Sequence, residues 1–247
     1  MTGGLAAIGV VIPARNEVDR IDGCLAAVTA SVARLRRRPA GPQVPVRIVV
    51  VLDDCRDGTA DRVAGWPAVC AVASSAGRVG AARAAGIGHV LEGFARDGIP
   101  ESGIWLANTD ADSRVPAGWL GLQAAASRRG AAMVLGTVRP DPAELDRAIR
   151  QRWYRRHRLG DGHPHVHGAN LGIRADWYRR AGGFPPVARQ EDVALVAAVT
   201  AAGGRIVRTG AGPVQTSARL SGRAPGGMSD YLRRLAADLD EPMDAAG

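Results

Sequence analysis

The sequence predicts an α/β protein with a mostly parallel central sheet and helices on both faces. Three observations predict it. Apolar runs alternate with stretches of helical periodicity through the first half of the chain. The runs are continuous, as strands buried on both faces are. The three clearest runs end in Asn16-Glu17, Asp53-Asp54 and Asp110-Ala111-Asp112. Parallel strands would gather these groups on one edge, where such sheets bind ligands.

Ile8 to Ile12 reads as the first strand, ended by Pro13. Ile21, Leu25, Val28, Val32 and Leu35 then recur at helical spacing. Arg38 to Pro45 breaks the pattern but is too short to separate domains, so residues 1–247 are read as one domain. Val46 to Leu52 is the second strand, Cys55 to Thr59 a turn and Ala60 to Trp66 a short helix. Val69 to Ala73 is a third strand candidate, and the Ala-rich stretch from Arg78 to Phe94 is helical. Ile104 to Ala107 is the fourth strand, running into the Asp pair and then a helix from Pro116 to Arg128. Ala131 to Leu135 is a strand, Pro142 to Arg158 a long Arg-rich helix, and His163 to Ile173 extended. Helices follow at Asp176 to Ala181 and Glu191 to Ala202, a strand at Arg205 to Arg208, and a last helix at Met228 to Leu239.

Composition narrows the function classes. All 32 basic side chains are Arg, and the net charge of +8 favours anionic partners such as diphosphates, lipid head groups or nucleic acid. Three scattered cysteines suggest neither a disulfide framework nor a zinc site, which suits a reducing cytosol. No secretory pattern opens the chain and no apolar run reaches the roughly 20 residues of a membrane helix. The expected location is cytoplasmic, or peripheral at a membrane.

Taken singly, the motifs have plain readings. Asp110-Ala111-Asp112 could be a solvated acidic turn, Glu17 a first-turn helix acid, and Asp57 a helix cap. Glu191-Asp192 could be no more than acids at a helix start. His163, His165 and His167 alternate and would share one face of an extended segment, but no Cys or acid adjoins them to complete a metal set. The Arg-rich run from Arg150 to Arg158, with Trp153 and Tyr154, fits a solvated helix face, nucleic-acid binding or docking to an anionic membrane.

Order makes the motifs specific. Val10-Val11-Ile12-Pro13-Ala14-Arg15-Asn16-Glu17, Val49 to Thr59, Gly80 to Gly86, Asp110-Ala111-Asp112, and Gly182-Gly183-Phe184 followed by Gln190-Glu191-Asp192 succeed one another over about residues 8 to 200. In this order they resemble glycosyltransferase family 2, nucleotide-sugar enzymes of the A-type fold. The resemblance implies a single A-type domain with a Rossmann-like sheet. About residues 1–115 would bind the nucleotide sugar and about 116–247 the acceptor.

By that resemblance, Pro13, Ala14 and Glu17 line the nucleotide pocket, Asp53 hydrogen-bonds the base and Arg83 contacts the nucleotide. Asp110 faces ribose or metal, and Asp112 ligates Mg²⁺ or Mn²⁺ on the diphosphate. Asp192 is the general base for an inverting transfer to an acceptor hydroxyl, with Glu191, His167 and Asn170 on the acceptor side. Many A-type enzymes supply a further ligand, often His, near the C-terminus. Here that region has no His, so Arg219 or Arg223 is expected to bind the diphosphate instead. The implied partners are a nucleoside-diphosphate sugar and a hydroxyl acceptor, small or lipid-linked, with no nucleic acid. The rival readings are an Arg-rich nucleic-acid-binding protein on a similar scaffold, a non-catalytic relative, and a sugar nucleotidyltransferase. The last would need a glycine-rich basic N-terminal loop that is missing.

Overall fold

A computed structural model describes residues 4–37, 43–157, 159–187, 189–220 and 227–240. Eight strands form one sheet in the order β3-β2-β1-β4-β7-β6-β8-β5. Its first half is β1 (Ala7–Ala14), β2 (Val46–Asp53), β3 (Val69–Ser74) and β4 (Ile104–Asn108), all mutually parallel. The second half is β5 (Ser113–Arg114), β6 (Met133–Pro140), β7 (Leu171–Arg174) and β8 (Ile206–Thr216). There β7 runs antiparallel to β4 and β6, β8 is parallel to β6, and β5 is antiparallel to β8.

Side-chain alternation explains the two-sided core. Ile8, Val10 and Ile12 of β1 pack with Ile21, Cys24, Leu25 and Val28 of α1 (Ile21–Arg36) and with Leu120 and Ala124 of α4 (Trp119–Arg128). Ala7 and Val11 face the other way, toward Ile87, Val90 and Phe94 of α3 (Val79–Arg96) and Leu195 and Val199 of α7 (Glu191–Ala201). A strand that buries both faces must be apolar throughout, and each such side chain contributes about 1.5–3 kcal/mol. Gly86 lets α3 lie close on the sheet: a Cβ there would come within 2.6 Å of Val11 and 2.7 Å of Val51. Helix α2 (Thr59–Ala64) follows β2 with Gly58 at its N-cap position, and Asp57, expected as the cap, lies one residue earlier and accepts from Thr59 N at 3.0 Å.

The second half departs from the sequence reading at several places. The helix expected from Pro142 is α5 (Arg147–Arg156), because Asp146 adopts an extended conformation and caps it through Ala148 N. The stretch 163–173 is not uniformly extended: Gly168–Asn170 is a 3-10 turn before β7. The strand expected to end at Arg208 continues to Thr216, and β6 continues to Pro140 beside it. The far end of β8 receives β5, a two-residue strand with no apolar run to announce it. Helix α6 (Ala175–Arg180) precedes α7, and α8 (Met228–Asp240) packs Leu232 and Leu235 on Leu145, Ile149 and Trp153. Arg223 lies outside the described residues.

Candidate active site

The carboxyl ends of β1, β2 and β4 meet on one edge of the sheet, as their shared direction requires. The β1 and β2 turns are knitted together by Asn16 Oδ1, which accepts from Arg56 N at 2.7 Å, and by Thr59 Oγ1, which accepts from Glu17 N at 2.8 Å. Asn16 and Asp54 both take positive φ there (53° and 51°), a conformation Asn and Asp tolerate best among residues with a Cβ. Pro13 and Ala14 form the last residues of β1, with Ala14 buried. Asp53 is buried at the end of β2, and its Oδ1 accepts from Ser74 Oγ at 2.9 Å and Gly77 N at 3.0 Å.

Two arginines organise the carboxylates beyond β4. Arg83, on the first turns of α3, is 3% exposed. It donates from Nη2 to Asp110 Oδ1 at 2.6 Å and from Nη1 to Glu191 Oε1 at 2.5 Å. Burial works against its charge, but Asp110, Glu191 and Asp192 outweigh that and secure it. Burial, with Asp192 and Asp110 adding like charge, pushes Glu191 up against the pull of Arg83. Asp192, one residue on at the start of α7, accepts from Gly168 N through Oδ2 at 2.9 Å. Arg83 was expected at the nucleotide and Glu191 on the acceptor side. The structure pairs the two with each other and Arg83 with Asp110.

Arg219 organises the other side. It forms a two-pronged pair with Glu17, Nη1 to Oε2 at 2.8 Å and Nη2 to Oε1 at 2.6 Å, and Nη2 lies 3.1 Å from Asp112 Oδ2. The segment reaches this point because β8 pairs with β5, and Ser217 N then donates to Asp112 O at 3.1 Å. Glu144 fixes it by accepting from Ser217 Oγ and Ala218 N, both at 2.9 Å. Burial, together with the charges of Asp110 and Glu17, pushes Asp112 up to about 6 despite Arg219. The site thus holds more negative charge than its guanidinium balances. Among the described residues no three His, Cys, Asp or Glu side chains converge as a metal set. Asp110 and Asp112 offer carboxylate oxygens, the donor type that suits a hard cation taking one or two carboxylates together with phosphates and water.

Two residues expected on the acceptor side have partners within the protein. Asn170 is a structural cross-link: Oδ1 accepts from Trp119 Nε1 at 2.9 Å, and Nδ2 donates to Thr137 O at 2.8 Å and Gly212 O at 3.3 Å. Its amide is thus engaged on both sides by the protein's own groups. His167 belongs to a stack, its ring 5.8 Å from that of His165, which lies 5.7 Å from His163 and 5.2 Å from His157. Burial and the neighbouring imidazoles His165, His157 and His163 push His167 down to about 4. Glu144, Thr216 and Ser217 went unnoticed in the sequence. Their importance lies in pairings across 73 to 104 residues that carry no local signal.

Comparison with known proteins agrees with this geometry. The family model described as Glycosyl transferase family 2 matches residues 9–182. No curated protein matches the chain in sequence. Among solved structures, residues 1–349 of S. aureus TarS in complex with UDP-GlcNAc align at a TM-score of 0.62 and 14% identity, covering 96% of this chain and 68% of that one. The mannosyltransferase PcManGT from Pyrobaculum calidifontis, in complex with GDP-Man and Mn²⁺, aligns at 0.59 with 18% identity, over 93% of this chain and 60% of that one. GalNAc-T7 with UDP, GalNAc and Mn²⁺ aligns at 0.58 with 13% identity, over 89% and 46%. These structures share the fold, a single α/β domain of the A type. The model match spans most of the chain, including the β1 turn, the D-x-D edge and Gly182, and so the chain belongs to glycosyl transferase family 2 and is a glycosyltransferase.

Proposed function

We propose that the protein transfers a sugar from a nucleoside-diphosphate sugar to an acceptor hydroxyl with inversion, Asp192 acting as general base. One observation carries this reading: a single buried guanidinium, Arg83, ties Asp110 on the β4 turn to Glu191, the neighbour of Asp192. A donor edge and a basic carboxylate are thereby fixed on either side of one short bridge. The similar structures support a nucleotide-sugar donor and a divalent ion, since they were obtained with UDP-GlcNAc, GDP-Man and Mn²⁺.

In this reading residues 1–115 hold the donor. Pro13, Ala14 and Glu17 border the nucleotide, and Asp53 meets the base through Oδ2, since both its hydrogen bonds from the protein fall on Oδ1. Asp112, with Asp110, holds Mg²⁺ or Mn²⁺ at the diphosphate, and Arg219 adds a guanidinium to it. The ion would offset the charge left on the departing diphosphate. Asp192 takes the proton as the acceptor oxygen bonds the anomeric carbon and the bond to the diphosphate oxygen breaks. Gly168 N–H holds Asp192 Oδ2 in place for this. Attack opposite the leaving group inverts the centre.

Residues 116–247 would receive the acceptor. No described helix is long and apolar enough to cross a membrane. A lipid-linked acceptor would meet α5, which carries Arg147, Tyr154, Arg155 and Arg156 exposed and no acid along its length. The reading is tested by thermal shift with UDP, GDP and their sugars, with and without Mn²⁺, on the native protein and Asp192→Asn. A nucleotide should stabilise both proteins, while Asp192→Asn loses about 10²–10⁴-fold in transfer rate. Equal loss of nucleotide binding and turnover would remove Asp192 from the base role.

A further inference from the structure

We infer that Arg219 is a built-in stand-in for the divalent ion: without nucleotide its guanidinium occupies Asp112, and nucleoside diphosphate and cation together must displace it. This rests on the donor-site reading above and adds an order of binding to it. The geometry is asymmetric. The guanidinium is anchored to Glu17 by two short bonds, 2.6 and 2.8 Å, and Glu17 is itself 8% exposed. Toward Asp112 it makes one longer contact of 3.1 Å, and the other Asp112 oxygen is met by Thr216 Oγ1 at 3.3 Å. The weaker of the two attachments is therefore the one on the cation-binding carboxylate.

Two positive groups cannot share one carboxylate oxygen without repulsion, and a guanidinium competes well because its planar fork needs little desolvation. An ion arriving alone would have to expel Arg219 from Asp112 and leave that positive charge beside its own. An ion arriving with a nucleoside diphosphate brings the anion that Arg219 can turn to while Glu17 keeps hold of its other edge. Arg219 then changes partners from Asp112 to phosphate, and Asp112 changes from guanidinium to metal. The backbone supports a swing of the side chain alone, because Glu144 fixes Ser217 and Ala218 just before it. The protein would thus reject free divalent ion and take it up only with the donor.

Mn²⁺ binding to the full chain, followed by the resonance of the free ion, tests this without reference to turnover. Native protein should bind Mn²⁺ poorly alone and well with UDP or GDP. Arg219→Ala should bind Mn²⁺ alone roughly tenfold or more tightly than native protein does, and Arg219→Lys, which keeps the charge, should stay near native. A thermal unfolding trace of each variant verifies that it is folded. If Arg219→Ala gains no affinity for Mn²⁺ alone while nucleotide-driven uptake by the native protein persists, the exchange is overturned and the donor site stands. If the native protein and Arg219→Ala take up neither nucleotide nor Mn²⁺ under any condition, the donor-site reading is overturned with it.

Discussion

Arg83 and Arg219 do similar chemistry in opposite settings. Each bridges two carboxylates, one of which is in the D-x-D turn. Arg83 comes from a helix laid against the sheet and is 3% exposed, with both bonds at 2.5–2.6 Å. Arg219 comes from a segment beyond the last strand, is 20% exposed, and holds one partner tightly and the other loosely. The difference teaches where rigidity is needed. On the proposed reading, a base must stay aligned to the reacting centre, and its side of the site has the enclosed bridge. A diphosphate would have to enter and leave, and its side would be closed by the group that can let go.

The sharpest break in this comparison is Arg83→Ala set against Arg219→Ala. Removing Arg83 leaves Glu191 buried without its cation, and uncompensated buried charge costs about 3–5 kcal/mol. Removing Arg219 also leaves Glu17, itself 8% exposed, without its cation, but water can enter from the side of the 20% exposed guanidinium, so the loss should fall below that range. Denaturant unfolding of both variants measures the contrast. Equal losses would mean that Arg83 is no more built into the fold than Arg219.

This contrast also marks what the sequence could show. The strands of the first half were legible because burial on both faces makes them uniformly apolar, and parallel pairing brings their acidic ends to one edge. Asp53, Asp110 and Asp112 could be placed from that alone. Neither arginine bridge was legible, because Arg83 meets Glu191 across 108 residues and Arg219 meets Glu17 across 202. The Gly80 to Gly86 motif singles out Arg83 but says nothing of which carboxylates it meets. Strand β5 was missed for a related reason: two residues, Ser113 and Arg114, carry no periodicity, and only the pairing with β8 makes them a strand. The cross-link made by Asn170 was not legible either, because a polar residue looks the same in sequence whether or not it ties Trp119 to two carbonyls.

A smaller effect sharpens the claim that Arg83 is locked. A Cβ at Gly168 would collide with the Arg83 guanidinium. A free arginine would step aside at little cost, but one bonded at both ends cannot. Gly168→Ala should therefore cost about 1–3 kcal/mol, as overpacking does, and should lower transfer as well, since Gly168 N–H holds Asp192. In an Arg83→Ala background most of that added cost should vanish, a coupling that a double-mutant cycle reads directly. Additive losses would show that the strain at Gly168 is met elsewhere.

The smallest expected effect is a pH dependence read at His167. His167 adjoins Gly168, and burial with the surrounding imidazoles holds it down at about 4. His157 and His163 are pushed down by burial as well, with Arg156 and Arg208 respectively adding positive charge. Arg208 also donates to the carbonyls of His163 and His165 from beneath the stack, while Tyr231 packs edge-on against His157. A histidine held below its unfolded value binds fewer protons when folded. Its stabilising contribution is thus complete above about pH 6.5 and is lost as pH falls toward 4. By pH 5.5 the loss attributable to His167 should be about 1 kcal/mol. Glu191 and Asp112 are shifted up and have the opposite slope, so the native protein shows only the sum. Unfolding the native protein and His167→Asn at pH 7.5 and 5.5 isolates the histidine, because the difference between the two proteins cancels Glu191 and Asp112. If that difference is the same at both pH values, the stack carries no linked protons at His167, and the base side of the site is insensitive to acid despite its histidines.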